Sequence, residues 1–478
     1  MKTHIKNEFT RLGVAWREAR ALFALTAVLG SMLACPSSAQ IFTTLHSFDS
    51  DGPPNGLILS GKTLYGTTTG TVFAVNTDGS GFTNLHSFTD GASVSTGIIL
   101  SDNTLYGTTS SGSSSNGTVF KVNTDGTGFS TLHSFTASAP FTNSDGYVFY
   151  TNSDGAGPGG VILSNNTLYG TASGGGVWGS GTVFALNTDG TGFTNLYNFP
   201  RFVGIGSSPQ EVILLGSTLF GAALEHCCQT GPIIGTLFAL NTDGSGFRTL
   251  LNTTNVPLQG LIVLGGTLYG AVDGYYCGGP CPWNSPALVV RVNTDGTGST
   301  NLLIFDNLYY NYLRVLILLG DTLYGISLHG ISLPSGNRGN NGTVFAVNTD
   351  GTSFTVLHSF TAAFPPSPSP LTNGDGADPN SLILFDNNLY GTTTRGGSGG
   401  SGTIFSISLP PRLTMIPYGA NVILTWPTNA VGYTVQSTTN LNPPIVWNTN
   451  SLGPVVIGGQ NVVINPASGP RQFYRLAH

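Results

Sequence analysis

Short apolar runs alternate with clusters of Gly, Asn, Asp and Ser through most of this chain, and the alternation has a long period. The runs GLILS (56–60), GIILS (97–101), GVILS (160–164), EVILL (211–215), GLIVL (260–264), RVLIL (314–318) and SLILF (381–385) open successive units. Each leads, after a short polar or Gly-containing break, into TLYG or a variant, starting at Thr63, Thr104, Thr167, Thr218, Thr267, Thr322 and Asn388. GTVF or a relative follows at Gly70, Gly117, Gly181, Gly235, Gly342 and Gly402, with PALVV (286–290) as a degenerate fifth copy. NTDG comes next, at Asn76, Asn123, Asn187, Asn241, Asn293 and Asn348, and then FTNLHSF or a relative.

Four β-rich runs joined by turn residues predict a four-stranded antiparallel meander, strands a to d. Strand a is apolar throughout, as expected of a strand covered on both faces. NTDG reads as a hairpin turn between c and d, because Asp-Gly supplies positive φ. One such sheet cannot bury both faces, so the units must pack on each other. The expected fold class is all-β, a seven-bladed β-propeller. The ends support closure: the seventh unit ends in SISLPP without NTDG or LHSF, while the chain after residue 40 begins with an isolated strand d, IFTTLHSF. Ile41–Phe48 is therefore expected to pair with Gly402–Ser408. An open solenoid gives no reason for this complementary truncation.

The pattern LYG…GTVFxxNTDGTxFTxLHSF resembles the GloVer tandem repeat of exported bacterial proteins, over about residues 41–409. That resemblance implies an exported repeat protein with a variable C-terminal module, and carries no activity. More distantly the unit is similar to a kelch blade, TLYGTT standing where that family has a Leu-Tyr strand ending in Gly-Gly.

Residues 1–39 read as a secretory signal: Lys2, Lys6, Arg11, Arg17 and Arg20, the apolar run 21–34, and Ser37-Ser38-Ala39 before Gln40. The apolar run is too short for a bilayer-spanning helix, so no membrane span is expected after its removal. Of the 478 residues, 16 are Lys or Arg and 22 are Asp or Glu. Setting aside 1–39, which holds five of the basic and two of the acidic residues, leaves a net charge of −9. Such a chain has no cationic footprint for nucleic acid. Secretion or display at the cell surface is expected.

Spacing between TLYG and GTVF varies from 3 to 16 residues, and the d–a crossings carry insertions at 136–160 and 361–380, whereas a–b and c–d turns are short. One rim therefore gathers the variable loops, where binding residues concentrate. On it fall Trp178, Tyr275, Tyr276 and Trp283, with Asp51, Asp90, Asp154 and Asp375 in Asp-Gly pairs. Aromatic faces beside carboxylates suit a polysaccharide or cell-surface glycan. Cys227, Cys228, Cys277 and Cys281 lie in the fourth and fifth b–c loops, and disulfides are expected in an oxidising compartment, with three connectivities open. A four-thiolate zinc site is the alternative.

His46, His86, His133 and His358 sit on strand d of four different units, too dispersed for one ion, which points to packing between units. No metal, cofactor or catalytic residue is expected. There is no G-x-S-x-G, H-E-x-x-H or phosphate loop, and nothing singles out a carboxylate pair. A carbohydrate-active hydrolase or lyase on the same rim, and a purely structural envelope protein, are the competing readings.

Pro410-Pro411 marks a boundary, so the divisions are 1–39, 40–409 and 410–478. In the last, LTW…GYTVQS resembles strands B and C of a fibronectin type III module, with Trp426 and Tyr433 as core anchors of a small β-sandwich. Intact mass spectrometry tests the cysteine reading: the secreted chain should resist alkylation until reduced, and alkylation without reductant contradicts disulfides.

Overall fold

The computed structural model describes residues 41–49, 52–89, 92–94, 96–111, 116–142, 148–200, 207–226, 233–254, 258–273, 286–305, 312–328, 341–361, 372–428, 432–449, 453–458, 460–466 and 471–477. Every regular element among them is a β-strand. The first are β1 (Phe42–Ser47), β2 (Pro54–Ser60), β3 (Thr63–Thr68), β4 (Thr71–Asn76) and β5 (Thr83–Ser87). Strands β2 to β5 form one antiparallel meander, the a–d order expected of a unit. Five further four-stranded meanders span 99–134, 156–198, 207–254, 258–305 and 313–359. The last sheet combines Ala377–Phe385, Asn388–Arg395 and Thr403–Ser408 with β1, which pairs from Phe42↔Ile407 to Ser47↔Thr403. The first strand described thus completes the sheet whose own fourth strand is missing. The arrangement is propeller-like.

Register explains why TLYG and GTVF travel together. Gly66 pairs with Phe73, and a Cβ on Gly66 would lie 2.5 Å from the Phe73 ring. The bare glycine is the floor on which the ring lies. Gly107 with Phe120, Gly170 with Phe184, Gly325 with Phe345 and Gly391 with Phe405 repeat the contact. In the degenerate fifth unit Val290 replaces the phenylalanine, and Leu258 and Leu261 lie against Gly270 instead.

The cores lie between sheets rather than within them. Val72 packs with Leu105 and Phe120 of the next unit, and each subsequent pair of sheets shares such a cluster. A seventh joins Phe48, Leu57 and Phe73 to Tyr390 and Ile404, the last unit to the first. An open row of sheets has one fewer seam than sheets; here the described residues give as many seams as sheets.

Each seam carries recurrent polar and aromatic ties. On the inner side, the threonine after TLYG donates to a carbonyl on or just before strand a of the next unit: Thr67 to Thr96 (2.9 Å), Thr108 to Gly159 (2.8 Å), Thr171 to Gln210 (3.1 Å) and, from the last sheet to the first, Thr392 to Asn55 (2.8 Å). Ala222, Ala271 and Ile326 occupy this position in units four to six. There Glu211 Oε1 accepts from the Leu261 backbone N–H at 2.9 Å, tying unit four to unit five. Burial pushes the Glu211 carboxyl up to about 7, against the pull of the Leu261 and Gly260 N–H groups.

On the outer side, the expected interunit role of the histidines has a definite geometry. His46 stacks on Phe82 with centroids 4.0 Å apart, His86 on Phe129 at 3.7 Å, His133 on Phe193 at 3.8 Å and His358 on Phe42 at 3.8 Å. In unit three Tyr197 takes the histidine's place on Phe247 at 3.9 Å. The NTDG turn is wider than a two-residue hairpin and also serves the seam. Asp78 Oδ1 accepts from the Ser80 N–H at 2.9 Å, while Gly79, at φ +85°, faces Leu45 O of the preceding sheet, 2.5 Å from where a Cβ would stand.

In the C-terminal segment, 414–427 with 455–466 and 434–449 with 473–477 make two small sheets. Leu424, Trp426 and Val463 of the first pack on Val435 of the second, with Tyr433 and Leu476 alongside. Arg412 ties the connecting segment back to Thr322 Oγ1 at 2.6 Å.

Two stability measurements follow. Gly79→Ala should cost on the order of 2 kcal/mol in urea unfolding, since both φ and the Leu45 carbonyl oppose a Cβ, while Gly70→Ala, with open space around it, should be near neutral. Equal effects contradict the close seam. Glu211 binds its proton more tightly folded, with a value of about 7, than the 4.5 of the free side chain. Its contribution to stability therefore falls as pH rises between those values, and Glu211→Gln should flatten the decline in Tm across that window. An unchanged slope contradicts the burial of the carboxyl.

Candidate functional site

The loop-rich rim is built from the b–c turns and d–a crossings, and its best-defined part lies on the third unit. Gly174–Ser180 forms a tight turn held by a Gly175↔Ser180 bridge, with the Gly181 N–H on Gly175 O at 3.1 Å. Asn152 Oδ1 accepts from the Gly176 N–H at 2.7 Å and from the Gly155 N–H at 2.9 Å, fastening this turn to the d–a crossing. At its tip Val177 is 58% and Trp178 52% exposed.

Behind the turn stands a hairpin, Ala139–Thr142 paired with Val148–Thr151. Gly179 lies against Tyr150 O and the Phe149 and Thr151 side chains, so the 149 and 151 face looks inward. Alternation along the strand puts Val148 and Tyr150 on the outer face, 56% and 65% exposed. Trp178, Val177, Tyr150 and Val148 thus give this unit a concentration of exposed apolar surface. The hairpin is absent from the residues predicted from sequence, although APFT and VFYT flanking the turn-rich NSDGY carried the signal.

Unit seven provides an internal comparison. Its b–c turn has the same Gly396↔Ser401 bridge, and Asn373 Oδ1 accepts from the Gly397 N–H at 2.8 Å and the Gly376 N–H at 2.8 Å. Ser398-Gly399 stands there in place of Val177-Trp178. The backbone is therefore built without the tryptophan, which the turn does not need.

Asp154 and Asp375, predicted as ligand-facing carboxylates, turn inward. They are 4% and 7% exposed. Asp154 Oδ2 contacts His133 Nε2 at 3.1 Å and accepts from the Thr136 N–H at 3.0 Å. Asp375 Oδ2 contacts His358 Nε2 at 3.0 Å and accepts from the Thr361 N–H at 3.0 Å. Burial opposes the Asp375 charge, but the bonds from His358 and Thr361 prevail and hold its carboxyl below the usual range. Both residues lock a d–a crossing to the end of strand d, a task the Asp-Gly pair alone did not reveal. Asp51, Asp90, Tyr275, Tyr276, Trp283, Cys227, Cys228, Cys277 and Cys281 lie outside the described residues.

A second polar group spans units five to seven. Asp273 directly follows strand b of unit five and is 3% exposed; Gln259 Nε2 donates to its Oδ2 at 2.7 Å. Burial pushes the Asp273 carboxyl up to about 7, with Arg314 and the Leu313 N–H pulling the other way. Arg314 Nη1 donates to Asn380 Oδ1 at 3.0 Å, and Arg395 Nε pairs with Asp378 Oδ2. Sequence reasoning missed these residues because each departs singly from the repeat and forms no motif.

Among the described residues no group of three or more His, Cys, Asp or Glu is placed to hold a metal ion, and no helix is long and apolar enough to cross a membrane.

No protein-family model and no curated protein matches this chain. Solved structures similar in chain path include the extracellular domain of a putative hybrid two-component system from B. thetaiotaomicron, at TM-score 0.48 and 11% identity, covering 83% of this chain and 43% of that one. An oligogalacturonate lyase in complex with manganese matches at TM-score 0.45 and 12% identity, over 78% of this chain and 97% of that one. Putative TolB from Agrobacterium tumefaciens matches at TM-score 0.34 and 11% identity, over 53% of this chain and 82% of that one. No activity, ligand or residue role is carried over from them.

Proposed function

We propose that the protein is an exported binding protein of the GloVer-repeat kind, a closed seven-bladed β-propeller with a small C-terminal sandwich, whose loop-rich face binds glycans without chemical turnover. The observation carrying the ligand reading is Trp178, 52% exposed at the tip of a turn that hydrogen bonds on both flanks hold still. An indole left in water costs apolar burial, and the matching turn of unit seven forms with Ser398-Gly399. A fixed aromatic face loses little entropy when a pyranose ring stacks on it, and Tyr150 beside it adds an aromatic surface and a hydroxyl. The low charge of the chain favours a neutral polysaccharide over a polyanion.

A glycan array probed with the secreted chain tests this. Binding to at least one polysaccharide is expected, weakened about tenfold or more by Trp178→Ala, with unfolding unchanged. Retention by a Trp178→Ala, Tyr150→Ala double variant, or the absence of any bound polysaccharide, removes the proposal.

A further inference from the structure

A cleft of about 340 Å³ opens in the C-terminal segment, outside the repeated sheets and at one end of the strands Thr434–Thr438 and Phe473–Ala477. Its volume is in the range of sites that take small ligands. It opens where the core pattern breaks. Thr434–Thr438 sends Val435 into the core, with Leu476 opposite it. Ser437 is the next residue on that face, and the residue beside it on the edge strand is Asn448. A sheet that only had to pack would continue the apolar stripe. Here a hydroxyl and an amide replace it on two adjacent strands, and both line the open space.

The outer wall is the loop that follows. Thr438 Oγ1 accepts from the Asn440 N–H at 3.3 Å and donates to the Asn440 carbonyl at 3.0 Å, and Asn440 Oδ1 accepts from the Asn442 N–H at 2.9 Å. Pro443 and Pro444 fix two further φ angles. The wall is therefore set before a ligand arrives, which spares the entropy of ordering it. Thr439 stands exposed on this wall, and Val446, also lining the cleft, is 66% exposed.

Charge and edge length narrow the ligand. No lining residue is charged, so an anion finds no cation there and a metal ion no carboxylate. Arg475 belongs to the opposite face of the sheet, where Gln436 Oε1 accepts from its Nε at 2.9 Å and from its Nη2 at 2.8 Å, and it lies over the Trp447 ring at 4.4 Å. A peptide strand needs a row of free backbone groups along a sheet edge, and the edge strand here, Asn448–Thr449, is two residues long. What the cleft offers is neutral donors and acceptors beside an exposed apolar side chain. An amide donates to one hydroxyl and accepts from its neighbour, and each serine or threonine hydroxyl does either. We propose that this cleft binds one residue of a neutral saccharide, whose hydroxyls bond to Ser437, Thr439 and Asn448 while its C–H face lies on Val446. The site is separate from the rim and does not rest on the tryptophan reading.

Saturation-transfer difference NMR tests the assignment on the full secreted chain carrying Trp178→Ala and Tyr150→Ala, so that the rim aromatics do not contribute. The probes are methyl α-D-glucopyranoside, methyl α-D-mannopyranoside, methyl β-D-galactopyranoside and a neutral (Gly-Ser)3 peptide. At least one glycoside should receive saturation, and the peptide none. Adding Ser437→Ala with Asn448→Ala should weaken that binding about tenfold, the scale of two neutral hydrogen bonds. Thr439→Ala, on the exposed lip and away from the core, should weaken it about threefold with urea unfolding unchanged. No transfer to any glycoside, transfer to the peptide alone, or undiminished binding by the Ser437, Asn448 variant overturns the proposal. If that variant unfolds early, Thr439→Ala decides alone, and binding that it leaves unchanged overturns the proposal.

Discussion

Everything in this protein depends on sheets that cannot bury themselves. A four-stranded meander with an apolar strand a and a phenylalanine lying across a glycine has two faces to cover, and the only partner the chain offers is another copy. The seam is therefore the unit of stability. It has an apolar layer, an inner threonine-to-carbonyl bond, and an outer pair of contacts in which the NTDG glycine meets a leucine carbonyl while a phenylalanine stacks on the preceding histidine. Stacked rings of this kind add about 0.5–1.5 kcal/mol each beyond the area they bury. The same contacts recur on both sides of the last sheet, through Phe42 on His358 of the unit before it and His46 on Phe82 of the first unit, where only the borrowed strand can supply them.

Repetition makes departures informative. Units one to three and seven keep the threonine tie, whereas units four to six have Ala222, Ala271 and Ile326. The outer stack changes in the same half: Leu251 and Ser299 replace the histidine and phenylalanine of one seam, so both partners are lost together. Into that half the chain puts Glu211, Asp273 and Arg314, charged groups that a propeller seam does not require. The sheets thus fall into a run tied by threonines and a run whose seams carry charged groups.

The rim shows the converse relation between scaffold and function. Units three and seven share a d–a crossing clamped by His133, Asp154 and Asn152 or by His358, Asp375 and Asn373. The clamp fixes the b–c turn, whose tip carries tryptophan in one unit and, in the other, Gly399, where a Cβ would meet the Phe48 carbonyl. Carboxylates that read as ligand contacts in the sequence are the clamp, because burial and three donors per carboxylate hold them inward.

Local periodicity settled the strands, the a–d order and the pairing of the stray strand d with the seventh unit. Each follows from side-chain alternation, turn chemistry and a count of complementary pieces, all written in neighbouring residues. Trp178 was visible because a large aromatic in a Gly-rich loop has no nearby core to join. The inward turn of Asp154 and Asp375, the hairpin at Tyr150 and the tie of Glu211 to Leu261 were decided only in three dimensions. Those contacts join residues from separate strands or separate sheets, and their energies depend on burial and on distance across a seam, quantities that no linear spacing encodes.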